Sequence, residues 1–198
     1  MIWTVVVAFL AYHSVYFKKL SDVKASGKTF DATAYAVDML NNRLPAVADK
    51  AVNIDQLIAE INADKVKAFA DYGHALAIGS TRFFMVKGSG RLSDINESDA
   101  GLITGGNNHV QIATEYVFGN AVRDASGLVN LNDFSNTVDL SNISSAVDRL
   151  IRRQVVPPFK AAAKKGDTVV FTGAIELNQE HLKLTGIEVM PVRLQINH

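Results

Sequence analysis

Hydrophobic positions follow three successive regimes along the chain. The first is almost unbroken: of residues 1–17, all but Thr4, His13 and Ser14 are hydrophobic. After a polar connector (21–28), apolar residues recur at three- and four-residue spacings, the mark of amphipathic helices. One helix, capped by Thr29 or Asp31, carries Ala34, Val37, Met39, Leu40 and Leu44 and is expected to end near Pro45. A second starts at Asn53 with Ile54, Leu57, Ile58 and Ile61 on one stripe. A third runs from Asp64 with Val66, Phe69 and Ala70 and stops at Tyr72-Gly73, where glycine suits a left-handed cap.

From His74 the period shortens towards two. Residues 82–86 are strand-like, 87–90 (Lys-Gly-Ser-Gly) suit a turn, and 91–95 alternate again. The clearest local pattern is a hairpin: 101–104, a Gly-Gly-Asn-Asn turn, then 109–114 with Val110, Ile112 and Thr114 on one face. Val117-Phe118 continues that sheet to Gly119, and Arg123-Asp124 leads on to 127–129. Asn132-Asp133-Phe134 opens a polar turn. Residues 143–165 read as helix with Val147, Leu150, Ile151 and Val155 on its stripe, broken or bent at Pro157-Pro158. Residues 167–177 form a strand. The stretch 182–196 is too long for an unbroken one, and its apolar parity changes between Gly186 and Pro191, as at a bulge or barrel corner. Glu188 falls in that exception. It faces solvent on a bulged strand or, alternatively, turns into a binding cavity.

As a helix, residues 1–17 would reach roughly 25 Å, against a hydrocarbon core of about 30 Å. Trp3 near one end, with Tyr16, Phe17 and Lys18-Lys19 at the other, suits an interfacial boundary. The segment lacks a basic start before Ile2 and a small-x-small site after the run, unlike a cleaved signal peptide. It is read as an uncleaved anchor, with a buried N-terminal helix as the alternative. Charge does not orient it: Lys18 and Lys19 would hold the following domain on the cytoplasmic side, and an upstream basic stretch would reverse that.

Composition changes the picture mainly by exclusion. The 198 residues are 48% hydrophobic, and the body after residue 17 is about 45% hydrophobic, ordinary for a soluble domain. Twenty Lys and Arg balance twenty Asp and Glu, which argues against a nucleic-acid partner. The absence of cysteine excludes disulfides, thiol catalysis and Cys-ligated metal centres, together with the acylated cysteine of a lipoprotein. His13, His74, His109, His181 and His198 show no metal-binding spacing, and no Gly-x-Ser-x-Gly, phosphate-loop or dinucleotide fingerprint occurs. The acidic run 94–99 lacks the glycine and distal Glu of a calcium loop and is read as an exposed turn. Asn96-Glu97-Ser98 and Asn142-Ile143-Ser144 fit the glycosylation sequon, a pattern frequent by chance.

Two polar features stand out as candidate contacts. Arg123 and Asp124, if on a strand, point to opposite faces and each needs its own partner, either as a tie between sheet and helix or as a ligand contact. With Arg82 they are the candidate ligand-binding residues. Arg149, Arg152 and Arg153 share a helical face within a basic run that continues through Lys160, Lys164 and Lys165. That face could meet an acidic partner or lipid headgroup, or be a solvated flank.

Taken together, several segments resemble an uncharacterised bacterial family of predicted periplasmic lipoproteins, domain of unknown function 2291. They are Ser14-Val15-Tyr16-Phe17 with the lysine-rich connector, Tyr72-Gly73, 84–90, 119–124, Asn132-Asp133-Phe134, 170–174 and Pro191-Val192. The resemblance spans nearly the whole chain. It implies a membrane-tethered envelope protein with a helical and a barrel-like domain, encoded near sugar ABC-transporter components, and it carries no assigned catalytic residues. Without a cysteine, tethering here would fall to residues 1–17.

The expected fold is therefore α+β: an anchor or buried helix (1–17), a small helical domain (18–72), and a small bent barrel of the OB type (73–198) with a helix inserted before the last two strands. The expected function is non-enzymatic binding of a protein partner in the envelope, such as a transporter component, with no cofactor or metal. The alternative is a barrel that binds a small sugar or anion.

Overall fold

The computed structural model describes residues 30–134 and 136–197. The expected anchor, residues 1–17, lies outside them. Among the described residues, no helix is long and apolar enough to cross a membrane.

The longest strand organises the fold. β1 (Val52–Asn53) runs parallel to β2 (Thr81–Ile95), whose Thr81–Arg91 stretch pairs antiparallel with β5 (Thr168–Asn178) and whose end, from Gly90, pairs with β3 (Asp99–Thr104). β3 and β4 (His109–Ala113) form the expected hairpin, with Val110, Ile112 and Thr114 buried. β4 runs parallel to β6 (Ile187–Asn197), and β6 pairs back with β5. Because β2 pairs with both β3 and β5, five strands close into a barrel that leaves few edges unpaired. The helices between β4 and β5 occupy the expected place before the last two strands.

The residues 87–90 read as a turn are the middle of β2. Their glycines serve close approach instead: a Cβ on Gly88 would lie 2.9 Å from Ile54 Cγ2 and 3.0 Å from Phe171 Cζ, and one on Gly90 would lie 2.8 Å from the Ile103 carbonyl oxygen. Gly73 is a similar correction. Its φ of −88° is extended rather than left-handed, and a Cβ there would meet the Phe69 carbonyl oxygen at 2.6 Å and Arg82 Cβ at 3.0 Å.

The helical segments depart from expectation in instructive ways. α1 (Ala32–Asp38) does not end near Pro45: it passes through a π-helical turn (Met39–Arg43) into α2 (Leu44–Asp49). The π-helical turn, in which the Leu44 N–H donates to the Met39 carbonyl five residues back, lets the helix run on into α2 with Pro45 in its first turn. α3 (Ile54–Ala63) starts as read, with Asn53 Oδ1 accepting from the N–H of Asp55 (2.8 Å) and Gln56 (3.3 Å). α4 (Lys65–Tyr72) is capped by Asp64 and buries Ala68 and Phe69, leaving Val66 and Ala70 exposed. Residues 117–125 do not continue the sheet; they end in α5 (Gly119–Ala125). α6 (Thr137–Gln154) begins earlier than its stripe suggested, and Pro157-Pro158 fall in the first turn of α7 (Val156–Ala162), which makes the expected break. Leu182 and Leu184 belong to the loop before β6. Gly186 turns that loop with φ +63°, and the β5–β6 register shifts opposite Pro191, as the parity change implied.

Strand alternation divides the interior into two cores. Phe84 and Val86 of β2 point into the barrel with Phe171, Leu102 and Ile112, where Ile54, Leu57, Ile61 and Phe69 of α3 and α4 close it. Phe69 meets Phe84 edge-to-face with centroids 5.1 Å apart. Met85, between them, points outward to a second core with Ala36, Met39, Leu44, Val122, Ile143 and Val147. The helices between Ala32 and Tyr72 thus have no core of their own, and Ala32–His198 form one compact unit.

Asp55 fastens α3 to the hairpin turn. Its Oδ1 accepts from Thr104 Oγ1 and from Asn108 Nδ2 (2.7 Å), and its Oδ2 from the Gly106 N–H (3.1 Å). Partial burial works to raise its pKa, but these three donors together hold it below the ordinary 3.8. The unfolded chain therefore binds the extra proton first on acidification. The Asp55 contribution is complete above pH 3.8 and disappears as pH falls through the lower folded value. Asp55→Ala is expected to remove about 1–3 kcal/mol at pH 7. The difference from wild type should shrink below pH 3.8 in urea denaturation series; a constant difference down to pH 2 would refute the assignment.

Candidate functional site

Arg123 and Asp124 lie on a helix, not a strand, and this reverses the expectation that they cannot pair. Successive helical residues diverge by only about 100°, so the side chains can meet. Arg123 Nε donates to Asp124 Oδ1 at 2.5 Å, while Arg123 Nη1 donates to the Leu140 carbonyl (3.0 Å) and to Ser144 Oγ (2.9 Å). Both side chains are largely buried, at 13% and 8% exposure. The guanidinium ties α5 to α6 at two points, Leu140 and Ser144, while its Nε holds Asp124 on its own helix, a fixed fork that a lysine does not offer.

Arg82 is spent locally: its Nη1 donates to the carbonyls of Gly79 (2.6 Å) and Thr81 (2.8 Å). That holds the irregular segment 75–80 against the start of β2. Between this segment and α5–α6 runs a groove of about 660 Å³, with Leu76, Ile78, Phe83, Leu131 and Leu140 as apolar lining and Arg123 and Asp124 in one wall. Ile78 is fully exposed, Val138 more than half and Leu131 a little less than half. The three candidate ligand residues thus share one neighbourhood, with Arg82 behind the groove's rim rather than in its lining.

Arg149, Arg152 and Arg153 are exposed on α6 as read. Arg152 Nη2 is paired with Glu115 Oε1 at 2.9 Å, and Lys160 Nζ donates to the Glu97 carbonyl at 2.8 Å, so part of the basic run serves to hold neighbouring loops. In the acidic turn, Asn96 Nδ2 donates to Asp94 Oδ1 (3.1 Å) and Asp99 Oδ1 (2.9 Å). Among the described residues, no group of three or more His, Asp or Glu is placed to hold a metal ion.

A second concavity, of about 320 Å³, escaped the sequence reading. Phe118, Glu176, His181, Lys183 and Glu188 line it, drawn from the approach to α5, from β5 and β6, and from the loop between them. Glu188 is exposed at its rim, yet partial desolvation and, secondly, the negative charge of Asp99 raise its pKa. Only the parity exception at 187–189 pointed to it. The other members are scattered over seventy residues and share no local pattern.

Three comparisons bear on this geometry. The sequence profile of a family described as "Predicted periplasmic lipoprotein (DUF2291)" matches residues 5–195. No curated protein matches the chain. The crystal structure of an OB-fold protein from Thermotoga maritima superposes with a TM-score of 0.76 over 86% of this chain and 100% of that one, at 19% identity. At that identity the likeness shows the fold alone, and it agrees with the closed five-stranded barrel.

Proposed function

Since the chain belongs to the family of predicted periplasmic lipoproteins, domain of unknown function 2291, and so to the periplasmic side of the bacterial envelope, we propose that it is a non-catalytic binding protein that docks an apolar segment of an envelope partner in the groove beside Ile78. One observation carries this reading: an isoleucine fully exposed at the lip of an apolar groove, with Leu131 and Val138 exposed nearby. Isolated exposed apolar residues are common, but a cluster around a concave apolar surface is the usual form of a contact site. The resemblance to proteins encoded near sugar ABC transporters favours a transporter component as that partner, with residues 1–17 keeping the protein at the membrane. A ligand site centred on Arg82, Arg123 and Asp124 draws less support, because their hydrogen bonds are largely spent on the fold.

The test is affinity co-purification of the full chain from detergent-solubilised membranes, with Ile78→Asp in parallel. A transporter component should co-purify with wild type, and Ile78→Asp should weaken its binding by about thirtyfold, the effect of losing one hot-spot side chain. Equal recovery with both proteins, or no envelope partner with wild type, would refute the reading.

A further inference from the structure

We infer that the concavity lined by Phe118, Glu176, His181, Lys183 and Glu188 binds a small neutral polyhydroxyl compound, of the sugar or polyol class. The site lies apart from the Ile78 groove, and the inference does not depend on it. Its volume of about 320 Å³ falls within the range of small-molecule sites.

Three features point to this chemistry. Phe118 is 54% exposed, an aromatic residue able to offer an apolar plane to the C–H face of a pyranose or furanose. The side chains of Glu176, His181, Lys183 and Glu188 make no hydrogen bond or ion pair with any other described residue, so their polar groups are available to a ligand. Carboxylates accept from hydroxyls, the ammonium donates to them, and imidazole does either; a fan of hydroxyl groups is the partner that satisfies all of them. Charge narrows the class. Two carboxylates against one ammonium leave the lining net negative, which repels an anion, and a neutral ligand meets no such penalty.

The site is also pre-organised. Glu176 and Glu188 stand on paired strands. The loop carrying His181 and Lys183 is pinned at its start, where the Gln179 N–H donates to the Ser80 carbonyl (2.8 Å) and Lys65 Nζ to the Gln179 carbonyl (2.9 Å). Asn178 Oδ1 then accepts from the N–H groups of Glu180 and His181, both at 2.9 Å. The Phe118 N–H donates to Met190 Sδ at 3.3 Å, which anchors the backbone of that residue to β6. Such fixing lowers the entropy lost on binding.

Isothermal titration and thermal-shift screening of the full chain would use glucose, galactose, ribose, xylose and myo-inositol, with glucose 6-phosphate as the anionic counterpart. At least one neutral probe should bind, with glucose 6-phosphate weaker. Phe118→Ala and Glu188→Ala, both at exposed positions, should each weaken binding about tenfold or more. Val66→Ala, on the outer face of α4, should leave it unchanged, and circular dichroism would confirm that all variants fold. Binding confined to glucose 6-phosphate, undiminished binding in both site variants, or no binding of any neutral probe would overturn the inference. Partner capture by Ile78→Asp is read separately, so either result can fail without the other.

Discussion

Replacing Gly119 with alanine should destabilise the protein by about 3 kcal/mol or more, although it adds only one methyl group. Gly119 opens α5 where that helix crosses α6. A Cβ there would lie 2.0 Å from the Ser144 carbonyl oxygen and 2.8 Å from the Asp148 backbone nitrogen. Neither atom can swing aside, because both belong to the backbone of an 18-residue helix. The strain must be relieved by lifting α5 off α6, which also pulls Val122 and Ala125 from the second core. Urea unfolding should show a lower midpoint with an unchanged slope. Gly105→Ala is the matched control, since a Cβ there meets nothing within 4 Å, and it should stay within about 0.5 kcal/mol of wild type. Equal stability of the two variants would show that the α5–α6 crossing is not as close as described.

Arg123→Met should be comparably damaging, by a different mechanism. Methionine keeps much of the aliphatic volume but strands the Asp124 carboxylate, whose side chain is 8% exposed. It also removes the donor from the Leu140 carbonyl and Ser144 Oγ. Breaking a largely buried pair by removing one partner costs about 3–5 kcal/mol, mostly through the charge left behind. For a chain of this length that corresponds to a fall in Tm of about 6–20 °C. Adding Asp124→Asn should recover part of the loss, because the second substitution removes the stranded charge. Additive losses in the double variant would show that Arg123 and Asp124 are not coupled. Arg123→Lys should fall between wild type and Arg123→Met, since one ammonium cannot reproduce the three contacts.

These effects mark where the candidate site was legible in the sequence and where it was not. Arg123-Asp124 stood out as a distinctive pair, and Arg82 proved to lie beside the same groove. Their geometry departs from the strand expectation because Gly119 is not a strand end but the small residue that lets α5 cross α6. The arginines of α6 were legible as one exposed face, because helical spacing alone sets it. The Ile78 groove and the Phe118–Glu188 concavity were not legible. Each is assembled from elements far apart in the chain, and apolar or carboxylate residues one at a time look like ordinary loop and strand positions.

The same division holds for the fold. Local periodicity and capping residues by themselves determined the helices begun by Asn53 and Asp64, the β3–β4 hairpin and the break at Pro157-Pro158, because each rests on interactions within a few residues, while the order of the elements and the parity change near Pro191 indicated the α+β barrel class. Tertiary structure alone decided what the glycines were for. Gly73, Gly88, Gly90 and Gly119 look like turn or strand-end signals in sequence, yet each is small because another segment comes within about 3 Å of where its Cβ would be. It also decided that α1 runs on past Pro45 and that the N-terminal helices share the barrel's two cores. The physical reason is one of range. Backbone preference is a property of a few neighbouring residues, whereas the space a side chain has, and the partner it finds, depend on segments that meet only when the chain closes.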